Sequence, residues 1–170
     1  MIVEASGDIG DIEAFLFSEI TNPEPAFPPE PAVQVELGGF FQAGGNIGNF
    51  KSATSVSADL RAGESIGNIT ALTGGILSPL IDAGLNIGDV WAHHQQAANT
   101  GKLVAREGNI GNVYLALGDW GANLKAGKSI QSITLDKGSL QEVRMAADET
   151  IQRIKISGSQ GGILGGTIVA

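Results

Sequence analysis

The chain has 170 residues, a formal net charge of −8, 25 glycines, no cysteine and only 5% aromatic residues. The charge argues against nucleic-acid backbones and anionic membranes as partners, and the missing thiols exclude disulfides and thiolate metal sites. The length suffices for one domain with its own core, and no apolar run approaches the ~20 residues of a membrane span.

Residues 1–20 open on Ile2-Val3-Glu4-Ala5 and reach Ile9-Gly10-Asp11-Ile12, a phrase that returns along the chain. The copies are Ile47-Gly48-Asn49-Phe50, Ile66-Gly67-Asn68-Ile69, Ile87-Gly88-Asp89-Val90 and Ile110-Gly111-Asn112-Val113. Two altered copies follow, Ile130-Gln131-Ser132-Ile133 and Ile151-Gln152-Arg153-Ile154. Successive first isoleucines are 38, 19, 21, 23, 20 and 21 residues apart. A period near 20, with one double step, marks a solenoid. The N-terminus lacks the basic, apolar and small-residue order of a signal peptide, so either a signal has been removed or the chain is a segment.

Within the double step, five of the six prolines fall between Pro23 and Pro31. Proline cannot donate to a strand ladder, so 21–32 is expected as a loop thrown out of the solenoid, with Val33 to Leu37 re-entering as a strand. Residues 38–90 hold the most regular repeats, and Gly74-Gly75-Ile76-Leu77 is expected to carry a third face. The longest period follows Val90, where His93 to Gly101 is expected as a polar loop over 93–101. Residues 102–156 resume the pattern, and the tail from Ser157 carries no charge.

Around each phrase the flanks alternate at period two, as in Val56-x-Ala58-x-Leu60-x-Ala62, which is strand patterning. Glycine inside each unit disfavours helix. Isoleucines three apart share one core only if the chain bends between them. Gly-Asn is expected to supply that bend through left-handed backbone conformations. The reading is an all-β, single-stranded parallel β-helix, right-handed, in one domain over 1–170. Roughly eight coils at ~4.8 Å per coil would make a rod about 40 Å long. Asp11, Asn49, Asn68, Asp89 and Asn112 then form a structural corner column of hydrogen-bonding side chains.

Six residues before each first isoleucine stand Val3, Phe41, Leu60, Ile81, Val104, Leu124 and Met145, expected to point inward. Glu4, Gln42, Arg61, Asp82, Ala105 and Lys125 are expected in an outward column, with Arg61 beside Asp82 and Lys128 pairing with Glu149. Another outward column brings Trp91 next to Tyr114, with Trp120 in the following loop. Aromatic rings beside Asn, Gln and Thr suit sugar rings, so these three are a candidate glycan platform. His93-His94 lacks the companions of a zinc site, and the nonapeptide of calcium-binding β-rolls is missing. No metal or cofactor is expected. Asp82, Asp89 and Asp119 are the carboxylates considered for catalysis, but no spacing selects a pair.

The Ala-Gly-x-x-Ile-Gly-Asn-Ile-x-Ala idiom, over about 1–20 and 37–156, resembles secreted bacterial β-helix proteins of the adhesin and autotransporter-passenger type. That resemblance implies an extracellular or cell-surface location and structural, adhesive or glycan-linked roles. The chain also resembles bactofilins, cytoplasmic β-helices that polymerise end to end. The expected function is a structural, self-associating module without enzyme activity. Its partners would be itself or the remainder of a longer solenoid. The alternative is a polysaccharide-binding or polysaccharide-degrading β-helix.

Overall fold

The computed structural model describes residues 1–14, 37–77, 80–95, 101–158 and 161–170. Its strands are β1 (Ile2–Ala5), β2 (Ile12–Ala14), β3 (Phe40–Ala43), β4 (Phe50–Ser52), β5 (Asp59–Ala62), β6 (Ile69–Ala71), β7 (Leu80–Ala83) and β8 (Val90–Gln95). They continue as β9 (Lys102–Ala105), β10 (Ile110–Gly118), β11 (Asn123–Ala126), β12 (Ser129–Lys137), β13 (Leu140–Ala147), β14 (Thr150–Ile156) and β15 (Ile163–Val169). Odd-numbered strands form an eight-stranded sheet in chain order and even-numbered strands a seven-stranded one. Every strand pair is parallel. Among the described residues there is no helix. The fold is a parallel β-solenoid.

Parallel neighbours one coil apart turn the repeat into columns. Ile47 bridges Ile66, and Ile66 bridges Ile87. All three are buried, together with Ile69, Leu60 and Ala62. A third column runs Leu37, Val56 and Ile76, then Trp120, Leu140 and Ile163. Where all three sides are described, the inner coils close an apolar lumen, and their isoleucines lose nearly all their water contact, which drives the stacking. In the second coil, Phe41 and Phe50 meet edge to face in the lumen at 5.0 Å.

The glycine of the corner works differently from the expectation. Gly48, Gly67, Gly88 and Gly111 do not have positive φ; glycines that do include Gly39, Gly118 and Gly158. The corner needs glycine for close approach instead. A Cβ on Gly48 would lie 2.4 Å from Asp11 Oδ1 in the coil below, and one on Gly67 would lie 2.9 Å from Gly48 carbon and oxygen. A tighter column follows the lumen alanines. There a Cβ on Gly63 would meet the Gly44 carbonyl oxygen at 2.0 Å, and Gly84 repeats the contact on Gly63.

Four other expectations are corrected. The coil with the 23-residue period puts its extra residue in the corner Arg106–Asn109, so Leu103 rather than Val104 enters the core. Leu103 pairs with Ile81 and Leu124, while Val104 joins the outward column in place of Ala105. Asp82 does form an ion pair, but with Arg106, whose Nε lies 2.9 Å from Oδ1; Arg61 lies beside Asp82 in register and packs over Phe40. Lys128 and Glu149 meet through their backbones, the Glu149 N–H donating to the Lys128 carbonyl at 2.9 Å. His93, His94 and Gln95 extend β8 rather than starting a loop. The rest of the polar segment, 96–100, and the Pro-rich 21–32 lie outside the described residues.

Candidate functional site

Four surfaces carry the polar and aromatic residues singled out by the sequence. The first is the corner column, which the structure resolves as a hydrogen-bonded ladder. Asp11 Oδ1 accepts the Asn49 N–H at 2.6 Å, Asn49 Oδ1 accepts the Asn68 N–H at 3.0 Å, and Asn68 Oδ1 accepts the Asp89 N–H at 2.9 Å. Asp89 Oδ1 accepts the Asn112 N–H at 2.8 Å, and Ser132 Oγ donates to Asn112 Oδ1 at 2.7 Å. The oxygens of Asp11, Asn49, Asn68 and Asp89 each satisfy a backbone donor at the bent corner. A second ladder through Asp8, Asn46, Ser65, Asn86, Asn109 and Ser129 runs beside it. Its signal was the small polar residue before every first isoleucine. Both ladders tie successive coils together.

The second surface holds the aromatic residues. Trp91 and Tyr114 are in register on adjacent strands, half-buried, with ring centroids 6.1 Å apart and planes 13° from parallel. Rings stacked along a column turn their faces to their neighbours and their edges to solvent, whereas a sugar platform offers a face. The Tyr114 hydroxyl donates to Asp136, and that bond, then burial and the carboxylate's charge, pushes the phenol above its ordinary pKa. Trp120 does not join them. It is fully buried in the third column, its Nε1 donating to the Ala122 carbonyl at 3.1 Å, so it belongs to the core and not to any platform.

The carboxylates considered for catalysis lie on separate faces, each engaged. Asp82 binds Arg106 on the outer face of the first sheet, and the pair holds the guanidinium pKa above its ordinary value. Asp89 sits in the ladder. Asp119 accepts the Ser139 N–H at 2.8 Å and the Gln141 amide. Beyond Asp82, the same outer face forms a trough of about 610 Å³ over β9, β11, β13 and β15. Lys102, Lys125 and Arg144 line it, with Val104, Ala146 and Val169 as its apolar floor.

The fourth surface is the pair of ends. β15 is the edge of the first sheet and β14 the edge of the second. All seven residues of β15 are exposed, including Ile163, Leu164, Ile168 and Val169 at 41–57%. Below it, Ile151, Ile154 and Ile156 of β14 are only partly buried, whereas Ile130, Ile133 and Leu135 in the same columns one coil down are buried. At the other end Ile2 is 75% exposed, and Val3, Ile9 and Ile12 are partly buried.

Comparison of the chain with protein-family models, with curated proteins and with solved structures finds no match. Among the described residues no helix is long and apolar enough to cross a membrane.

Proposed function

We propose that the protein is a structural β-solenoid module that associates with copies of itself through its ends, at the cell surface. The observation that carries this reading is β15. Among the described residues it is a seven-residue parallel edge strand with one row of N–H and C=O groups open, four large apolar side chains exposed, and no charge of its own. Such an edge is a template for a further strand unless it is covered. A second copy is the occupant that fits. Each column repeats the same class of residue from coil to coil, so the surface complementary to the last coil is another coil of this kind. Docking β1 of a second copy on β15 would set its Val3 above Ile168, in the column Phe41, Leu60, Ile81, Leu103, Leu124 and Met145. The surface location rests on the resemblance of the repeat idiom to secreted β-helix proteins.

Sedimentation velocity and electron microscopy test the reading. Wild-type protein should form rods one solenoid wide that lengthen with concentration. Ile168→Lys places a charge on the docking edge and should leave the chain monomeric, with its circular dichroism unchanged. A wild-type chain that stays monomeric at high concentration would sink the proposal. The glycan reading of Trp91 and Tyr114 has the stacked ring faces against it. It revives only if soluble glycans quench the tryptophan emission and Trp91→Ala removes the effect.

A further inference from the structure

The two ends of the rod differ in charge. Residues 1–100 carry twelve carboxylates and two lysines or arginines, whereas residues 101–170 carry six and eight. The formal balance is thus −10 over the first stretch and +2 over the second, within a total of −8. The first coil shows the asymmetry at close range. Glu4, Asp8, Asp11 and Glu13 are all exposed there, and residues 1–14 contain no lysine or arginine. At the opposite end β14 presents Arg153 and Lys155, both exposed, and has no carboxylate.

Register makes this more than a difference in totals. The column that begins at Asp11 passes through Asn49, Asn68, Asp89, Asn112 and Ser132 and ends at Arg153. The column that begins at Glu13 passes through Lys51, Thr70, Trp91, Tyr114 and Thr134 and ends at Lys155. Two columns that open on a carboxylate therefore close on a cation, side by side on one face.

We infer that association is head to tail: the copy that docks on β15 presents its N-terminal coil, so the assembly is polar. This rests on the end-to-end reading above and adds the identity and direction of the docking face. Docking two C-terminal ends would set Arg153 and Lys155 against their own copies, and docking two N-terminal ends would crowd eight carboxylates together. Like charges facing each other across an interface disfavour that arrangement. Head-to-tail docking instead continues the columns of the eight-stranded sheet in the same chain direction and sets Arg153 toward Asp11, and Lys155 toward Glu13, of the next copy. The eight-stranded sheet is one strand longer than its partner, so contact forms first between β15 and β1. The charged pairs then face each other across two strand spacings, about 10 Å between backbones, which long arginine and lysine side chains bridge. The ladder has the same polarity within the chain: from Asp11 to Asp89, each lower side-chain oxygen accepts the N–H of the coil above.

Charge-swapped variants test the direction. The tail variant is Lys155→Glu and the head variant is Glu13→Lys, which spares Asp8 and Asp11 because their carboxylates hold the first rungs. Both positions are exposed, and circular dichroism checks that each variant is folded. Either variant alone should need about tenfold or more of the wild-type concentration for half-assembly, and an equimolar mixture should recover wild-type assembly as alternating copies. Rising salt should weaken wild-type assembly. If the wild type assembles and each variant alone assembles as well, or if the mixture stays as weak as its parts, the polar arrangement is wrong while end-to-end association stands. If the wild type does not assemble at all, both fall.

Discussion

The coils before and after β9 solve the same packing problem with different materials. Before it, strands are three to four residues long until β8, and the isoleucine that precedes each corner makes only a single bridge to its neighbours. After it, β10, β12 and β14 run unbroken for seven to nine residues through the same corner. The lumen changes with them. One inward column reads Ala14, Ser52, Ala71 and Ala92 in the early coils and Leu115, Leu135 and Ile156 in the late ones. Trp120 fills the third side of the late lumen. The early coils are narrow, bent sharply at Gly-Asn or Gly-Asp and tied by side-chain ladders. The late coils are wide and tied by longer backbone ladders, and Gln131 and Gln152 stand where glycine stood. A parallel solenoid can thus trade ladder rungs for strand length without losing register.

If this contrast is right, truncating the wide lumen is the most damaging single change. Trp120→Ala should cost about 3–5 kcal/mol, and Leu115→Ala about 2–5 kcal/mol, in urea unfolding. In the same column of the narrow half the opposite change does harm. Ala71→Leu overfills a position with no solvent exposure and should cost about 1–3 kcal/mol. A neutral Ala71→Leu would mean that the early lumen has room to spare and that the two halves do not differ as described.

Much of this was legible in the sequence, and the exceptions have physical causes. Seven copies of one phrase fix the columns, because any residue at a constant offset from its isoleucine must recur one coil higher. The offset fails once. In the corner from Arg106 to Asn109 one extra residue shifts the phase, and the adjacent Leu103 and Val104 are both apolar, so alternation alone cannot choose between them. Gly-Asn announced a corner but not its reason, since the clash that demands glycine is with the coil below and not within the chain's own backbone. Trp120 was misplaced because a large aromatic after Gly118-Asp119 reads as a loop residue until the lumen is known to widen there. The opposed end charges lie in plain counts along the chain, but acquire meaning only once Asp11 and Arg153 are known to share a column.

The glycine argument gives the next largest effect and carries its own control. Gly10 and Gly48 occupy the same corner position one coil apart. Gly10 has nothing within 4 Å of where its Cβ would stand, whereas Gly48 would touch Asp11 Oδ1, the Asp11 nitrogen and the Gly10 carbon, all within 2.8 Å. Gly48→Ala should therefore cost about 1–3 kcal/mol, and Gly10→Ala should change the melting temperature little or not at all. Equal losses at both would show that conformational freedom, not close approach, is what the corner needs. Smaller still is the loss of one rung. Asn68→Ala deprives the Asp89 N–H of its acceptor at an exposed corner where water can substitute in part, so about 0.5–1.5 kcal/mol is expected. Urea unfolding should resolve it if it is measured beside Gly48→Ala.

The junction between the two kinds of coil offers the gentlest test. Trp91 belongs to the last strand before β9, Tyr114 to the first long strand after it, and their rings stack where the inward column changes from Ala92 to Leu115. Tyr114 also donates to Asp136, which raises its pKa in the folded state, the hydrogen bond contributing most. A group whose folded pKa is raised adds stability that is complete below its unfolded pKa, about 10 for tyrosine, and is lost as pH climbs through the folded value. Tyr114→Phe should accordingly be slightly less stable than wild type at neutral pH, and the difference should shrink above about pH 10 as the phenol of the unfolded and then the folded chain ionises. Because Tyr114 is the only tyrosine in the chain, tyrosinate absorbance reports its titration directly. The native midpoint should lie above that of the urea-unfolded protein, and Asp136→Asn should bring the two closer together. A native midpoint at or below the unfolded one would show that the Asp136 bond does not hold the ring in solution.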